Sequence, residues 1–136
     1  MLHDIGIGAC DAPDIHCFGK EHYIRHGITG CQMLRNYGAE HHMDLEAYAR
    51  ICEKHTGSGL TAAEIIQQKL PLPEQDFLPE TPEEKLVCLA DKFYSKSGNM
   101  QEKSLERIQK SMLKFGPAPC QRFQELCIMF QLLTKQ

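Results

Sequence analysis

Residues 1–6 read Met1-Leu2-His3-Asp4-Ile5-Gly6, and the pair in the middle decides how the rest is read. His3 offers an imidazole nitrogen and Asp4 a carboxylate. Together they suit a divalent metal, and the carboxylate can bridge two ions. One His-Asp dipeptide carries little weight alone. Its partners have to come from elsewhere in the chain.

Working outward, the pattern is helical nearly throughout, and runs of alternating β-branched residues are absent. Residues 1–6 read as the last turn of a helix. Residues 8–20, with Gly8, Pro13, Asp14 and Gly19, read as a loop. A helix is expected over about 21–37, with Ile24, Ile28, Cys31 and Leu34 at helical spacing and Gly38 as its C-cap. The next covers about 44–55, with Leu45, Tyr48, Ala49 and Cys52 on one face, and breaks at Thr56-Gly57-Ser58-Gly59. Thr61 followed by Glu64 is a capping box for a helix over about 62–69. Leu70-Pro71-Leu72-Pro73 ends it. Thr81, Pro82 and Glu84 start a helix that runs to about Lys96. Ser97-Gly98-Asn99 breaks the chain. Helices over about 101–115 and 119–134 follow, with apolar stripes Leu105, Ile108, Met112, Phe115 and Phe123, Leu126, Cys127, Phe130. The fold class is all-α.

Three of these helices each place one polar group where apolar residues are expected. His26 heads a stripe with Gly30, Met33 and Tyr37. His55 ends the second helix in line with Tyr48 and Cys52. Asp91 lies within Val87-Cys88-Leu89-Ala90-Asp91-Lys92-Phe93, where a carboxylate is costly to bury unless paired or metal-bound. The Gly-rich turn after His55 can bring backbone N–H groups to an anion. Taken singly, each His is more often a hydrogen-bonded core residue than a ligand, and Asp91 could pair with Lys92. His16, His22, His41 and His42 read as solvent-exposed.

The totals fit one domain of 136 residues, with 42% hydrophobic and 24% charged content. A formal net charge of −3 with scattered Lys and Arg argues against general nucleic-acid binding, so DNA binding is not expected. No apolar run approaches the ~20 residues of a membrane span, and no export signal opens the chain. Seven cysteines, with no Cys-x-x-Cys pair, read as reduced thiols of a cytoplasmic protein. Cys31, Cys52, Cys88 and Cys127 read as small core residues.

Four motifs in order resemble the HD superfamily of metal-dependent phosphohydrolases, and within it the HDIG-type proteins. They are His3-Asp4-Ile5-Gly6, His26-Gly27-Ile28-Thr29-Gly30, His55-Thr56-Gly57-Ser58-Gly59-Leu60 and Ala90-Asp91-Lys92-Phe93. The resemblance covers about residues 1–97 and leaves 98–136 as a C-terminal helical pair. His55 to Leu60 is also similar to a region of the HD-GYP cyclic-dinucleotide phosphodiesterases, without its Glu or Tyr-Pro. It is closer to the HD-family hydrolases that split diadenosine tetraphosphate symmetrically.

The resemblance implies an HD-domain helical bundle holding one or two divalent ions of Fe, Mn, Mg, Ni or Zn. Its ligands would be His3, Asp4, His26, His55 and Asp91, with Asp4 bridging. A metal-activated water would attack a nucleotide or related phosphate ester. Lys96 would hold phosphate oxygens, ahead of Lys92 and Lys20. The family's first His stands upstream of the His-Asp pair, so the chain is expected to be N-terminally truncated, with weaker metal binding and reduced activity. Two other readings follow from the same residues. One is a catalytically impaired helical module whose uncovered apolar face pairs with another chain or a second copy. The other is a di-iron oxygenase on the same ligand set.

Overall fold

The computed structural model describes residues 2–96 and 100–133. The chain opens with a 3-10 helix, Leu2–Ala9. Two-residue strands β1 (Asp11–Ala12) and β2 (Cys17–Phe18) then pair antiparallel around a short 3-10 turn, Pro13–Ile15. A further 3-10 turn, Tyr23–Arg25, leads into α1 (His26–His41). The others are α2 (Glu46–Lys54), α3 (Ala62–Gln67), α4 (Pro82–Asp91), α5 (Leu105–Leu113) and α6 (Pro117–Met129). The chain is all-α apart from the small ribbon. No helix among the described residues is long and apolar enough to cross a membrane.

The capping signals act as the sequence requires. Thr61 and Thr81 each accept from the backbone N–H three residues on, and Glu64 and Glu84 return the bond. Pro82 occupies the first turn of α4. Four expectations differ. Residues 8–20 carry the strand pair rather than plain loop. Gly38 does not end α1, which runs on to His41 and is capped by left-handed His42. Gly38 instead lets the chain double back, because a Cβ there would sit 2.6 Å from the Met43 carbonyl oxygen. Met33, Tyr37, Tyr48 and Phe115 face solvent, so the inner face of α1 is His26, Gly27, Gly30, Cys31, Leu34 and Gly38. Finally, α4 stops at Asp91, where Phe93 N–H turns back to the Ala90 carbonyl and Tyr94 bridges Glu102. The last helix, expected over 119–134, begins two residues earlier at Pro117 and ends at Met129, with Phe130 as its C-cap. The expected break at Ser97–Asn99 lies outside the described residues.

Two apolar clusters hold the helices. Cys31, Leu34, Ala49 and Cys52 join α1 to α2. Cys88, Leu89, Ile108, Met112, Cys120, Phe123, Leu126 and Cys127 join α4 to α5 and α6. Burying a side chain the size of Phe123 contributes ~2–3 kcal/mol. All seven cysteines are free thiols, and six are buried as core residues, Cys10 included. Arg50 links the two halves by donating to Glu84 at 2.7 Å and Glu80 at 2.6 Å, with Lys54 Nζ 3.2 Å from Glu80. This network fixes the end of α2 against the start of α4. Ser58 Oγ donates to the Pro119 carbonyl at 2.8 Å, and Arg122 donates to the Gly59 carbonyl at 3.0 Å and to Glu64. The C-terminal pair thus buttresses the loop that follows His55.

Candidate metal centre

Small residues let three segments meet at close range. A Cβ on Gly6 would lie 2.1 Å from the His26 carbonyl oxygen and 2.5 Å from Gly30 N, so only glycine lets the His3-Asp4 segment rest on α1. A Cβ on Gly27 would lie 2.6 Å from the Cys52 carbonyl oxygen, so α1 also touches the last turn of α2. The Cys52 thiol donates to the Leu2 carbonyl at 3.1 Å and ties down the N-terminal segment. These contacts bring His3 and Asp4 beside His26, the first residue of α1, and His55, which follows α2.

The five residues expected to ligate a metal converge. Asp4 Oδ1 lies 3.3 Å from His55 Nε2 and 3.8 Å from His26 Nε2. The two Nε2 atoms are 3.0 Å apart. His3 Nε2 donates to Asp4 Oδ2 at 3.1 Å and to Asp91 Oδ1 at 3.3 Å. One ligand atom each from His3, Asp4 and His55 falls within 4.8 Å of the others. Lys96 Nζ sits between the two carboxylates, 3.2 Å from Asp4 and 3.0 Å from Asp91, while Lys92 Nζ holds the other oxygen of Asp91 at 2.8 Å.

Proton placement distinguishes this cluster from an ordinary core network. His26 Nδ1 faces the Tyr23 carbonyl at 2.7 Å, and His55 Nδ1 faces the Cys52 carbonyl at 2.8 Å. Carbonyl oxygens only accept, so both rings carry a proton on Nδ1, and neutral His26 turns an unprotonated Nε2 inward. The inward Nε2 atoms of His26 and His55 and the carboxylate oxygen Asp4 Oδ1 therefore face one another, and Asp4 Oδ1 is buried without a hydrogen-bond partner. A buried acceptor left this way costs ~1–3 kcal/mol. A cation bound by all three removes that cost. Backbone carbonyls on the remote nitrogens are also how metal-ligating histidines are oriented. The donor set fits a divalent ion.

The charges of the other groups agree. Hydrogen bonds to Asp4 and Asp91 push the His3 imidazole up to about 9. Burial pushes His26 down to about 4, so its ring is neutral. For Asp4, burial pushes upward but is outweighed by the hydrogen bonds of His3 and His55 and by the Lys96 charge, which hold the carboxyl well below the usual range. For Asp91, burial is likewise outweighed by His3 and Lys92. In the metal-free protein, protonated His3 and Lys96 offset the two carboxylates.

The expected phosphate holder Lys96 is thus placed on the ligands Asp4 and Asp91. In a continued α4 it would lie ~140° around the helix from Asp91, and the early stop of α4 brings it back. Lys20 is exposed and does not line the cleft that opens over the cluster. His16, His22, His41 and His42 are exposed, and the His22 side chain caps the Tyr23–Arg25 turn by accepting from Ile24 N–H. Two features escaped the sequence reading. The Tyr23 ring lies tilted against His26, with centroids 4.8 Å apart. The cleft, of about 890 Å³, is lined by residues of α5 as well as by β1 and α4. Tyr23 carried a signal, three residues before His26, while the α5 wall had none in the motifs.

Comparison with known proteins follows the same residues. The family described as HD domain matches residues 1–95. An uncharacterised protein of Methanocaldococcus jannaschii is 40% identical over 91 residues, which cover 67% of this chain and 43% of that protein. A tRNA (cytidine(56)-2'-O)-methyltransferase of Picrophilus torridus is 38% identical over 95 residues, covering 70% of this chain and 23% of the relative. Its namesake in Thermoplasma volcanium is 32% identical over 95 residues with the same coverage. The chain spans less than half the length of each of these relatives. No solved structure matches it. The His-Asp pair, its three converging partners and the match over residues 1–95 make this chain a member of the HD domain family.

Proposed function

We propose that this chain is a metal-dependent phosphohydrolase that cleaves a nucleotide or related phosphate ester. The observation that carries this reading is the buried Asp4 Oδ1, without a hydrogen-bond partner and faced by the Nε2 atoms of His26 and His55 at 3.8 and 3.3 Å. His3, Asp4, His26, His55 and Asp91 would hold one or two ions of Fe, Mn, Mg, Ni or Zn, because mixed imidazole and carboxylate ligands suit these metals. Bound there, the metal supplies Lewis acidity and an acidified water.

The chain's own residues do the rest. Asp4, ionised and shared between His3 and Lys96, would offer its carboxylate oxygens to the metal. Asp91 holds Lys92 and Lys96 at the floor of the cleft, where phosphate oxygens would be neutralised. His3, which bridges Asp4 and Asp91 through its Nε2 proton, would have to release that proton to act as a ligand. The turn at Gly57 and Gly59, with φ of 61° and 91°, shapes the loop beside His55, and Gly57 lines the cleft. Two relatives are named tRNA methyltransferases, yet the matched segment is 23% of each, so this reading rests on the ligand geometry.

The test is hydrolysis of bis-p-nitrophenyl phosphate and of nucleoside monophosphates with added Mn²⁺ or Fe²⁺. The wild-type chain turns over in a metal-dependent way, and Asp4→Ala loses at least ~10²-fold, as removal of a central electrostatic group does. Activity that survives Asp4→Ala rules the mechanism out. Oxygen uptake in place of phosphate release would assign the site to oxidation instead.

A further inference from the structure

Helix α5 lies beyond the family match, yet it lines the same cleft as His26 and Asp91 of the ligand cluster. Lys103 just before the helix, then Arg107, Lys110 and Lys114, recur every three or four residues and so share one face. All four line the cleft, and none is ion-paired among the described residues. Lys92 and Lys96 continue the row down to Asp91. Three carboxylates line the same cleft, namely Asp91, already paired with those two lysines, and Asp11 and Asp14 from the strand ribbon. A chain of net charge −3 therefore carries a cleft with six cations against three carboxylates. Half-exposed Tyr23 and Tyr94 also line it.

We propose that this groove binds a short single-stranded oligonucleotide, with one phosphate at the ligand cluster and the following phosphates along α5. The inference rests on the hydrolase reading for which end of the groove reacts. The arrangement favours a strand over a compact polyphosphate. A triphosphate needs cations that converge, whereas Arg107 to Lys114 are spread over ~10 Å of helix, about three phosphates at the ~3.4 Å stacked spacing. Aromatic side chains beside a cationic track are the usual platform for bases of a single strand. The scattered Lys and Arg of the sequence hid this local asymmetry.

The experiment is fluorescence anisotropy of the full chain with fluorescein-labelled pentaribonucleotide and pentadeoxyribonucleotide, in EDTA, across a salt series. Tight binding of either strand supports the proposal, and comparing the two assigns the sugar. Arg107→Glu with Lys110→Glu should weaken binding at least ~10-fold and reduce the slope of log affinity against log salt by about 1.4, the single-strand value for two lost phosphate contacts. Lys69→Glu, a cation that does not line the cleft, should bind as the wild type does. Lys114→Glu alone, at the end of the helix, gives the same direction should the double variant fail to fold. Unchanged affinity in folded α5 variants overturns the proposal, as does displacement of the probe by ATP at the same concentration as by unlabelled pentamer. Binding is read without metal. A strand that binds through α5 but is never hydrolysed with Mn²⁺ leaves the groove standing and removes the hydrolase reading. Hydrolysis of mononucleotides with no α5-dependent binding does the reverse.

Discussion

Replacing Gly27 by Ala tests whether helix approach, rather than ligand identity alone, makes the metal centre. Gly27 has ordinary helical backbone, so a methyl group costs nothing in conformation and gains ~1 kcal/mol in helix propensity. The cost is spatial. The new Cβ would meet the Cys52 carbonyl oxygen at 2.6 Å and Thr56 Oγ1 at 3.4 Å. Reaching an ordinary contact of 3.4 Å requires α1 and the end of α2 to part by ~0.8 Å, an overpacking cost of ~1–3 kcal/mol. Net stability therefore falls by only ~0–2 kcal/mol. The same shift separates His26 from His55, neighbours across this contact whose Nε2 atoms are 3.0 Å apart. Metal affinity should fall ~10–100-fold, the range seen when supporting residues of metal sites are altered. Calorimetric titration with Mn²⁺, paired with thermal unfolding in EDTA, separates the two effects. Gly8→Ala is the control, because a Cβ there meets nothing within 4 Å. Wild-type metal affinity in a folded Gly27→Ala protein would refute the reasoning.

Two further outcomes are expected. The metal-free chain should lose stability between pH 6.5 and 8.5, by about 1–2 kcal/mol. His3 titrates near 9 when folded and near 6.5 when unfolded, so its contribution is complete below 6.5 and fades as pH rises. His26, near 4 when folded and near 6.5 when unfolded, opposes this by only about 0.4 kcal/mol at the start of the window. The buried Cys31 and Cys88 thiols, near 11, add the same trend only above it. His3→Gln should flatten the slope in pH-dependent urea unfolding, and an unchanged slope would contradict the assignment. Glu84→Ala removes the buried partner of Arg50 and the capping bond of α4, so thermal or urea unfolding should show a loss of ~3–5 kcal/mol. A loss below 1 kcal/mol would mean that the link between α2 and α4 contributes little.

Much of the fold was legible because its signals are local. The capping boxes at Thr61 and Thr81 and the break after His55 are written in consecutive residues, and they hold. What failed depended on contacts between distant segments. Gly38 carries a C-cap signal, but the close return of Met43 makes it an interior residue. Tyr48 and Met33 fit an inner stripe by spacing, yet packing turns them outward. For the site, the residue types and their order pointed to one cluster. The inward Nε2 atoms and the placing of Lys96 between two carboxylates depend on backbone carbonyls and on where α4 stops, which no motif states. The α5 wall was hidden for a similar reason, since its charges gain meaning only once the helix is packed across the cleft.

The central claim is that His3, Asp4, His26, His55 and Asp91 hold a divalent metal together. The most direct measurement is Mn²⁺ binding followed by electron paramagnetic resonance, for the wild-type chain and for Asp4→Asn and His26→Gln. The account predicts saturable binding of one or two ions per chain, lost in both variants while their circular dichroism stays helical. Equal binding by wild type and folded variants, or no saturable binding by the wild type with Mn²⁺, Fe²⁺, Ni²⁺ or Zn²⁺, would contradict it.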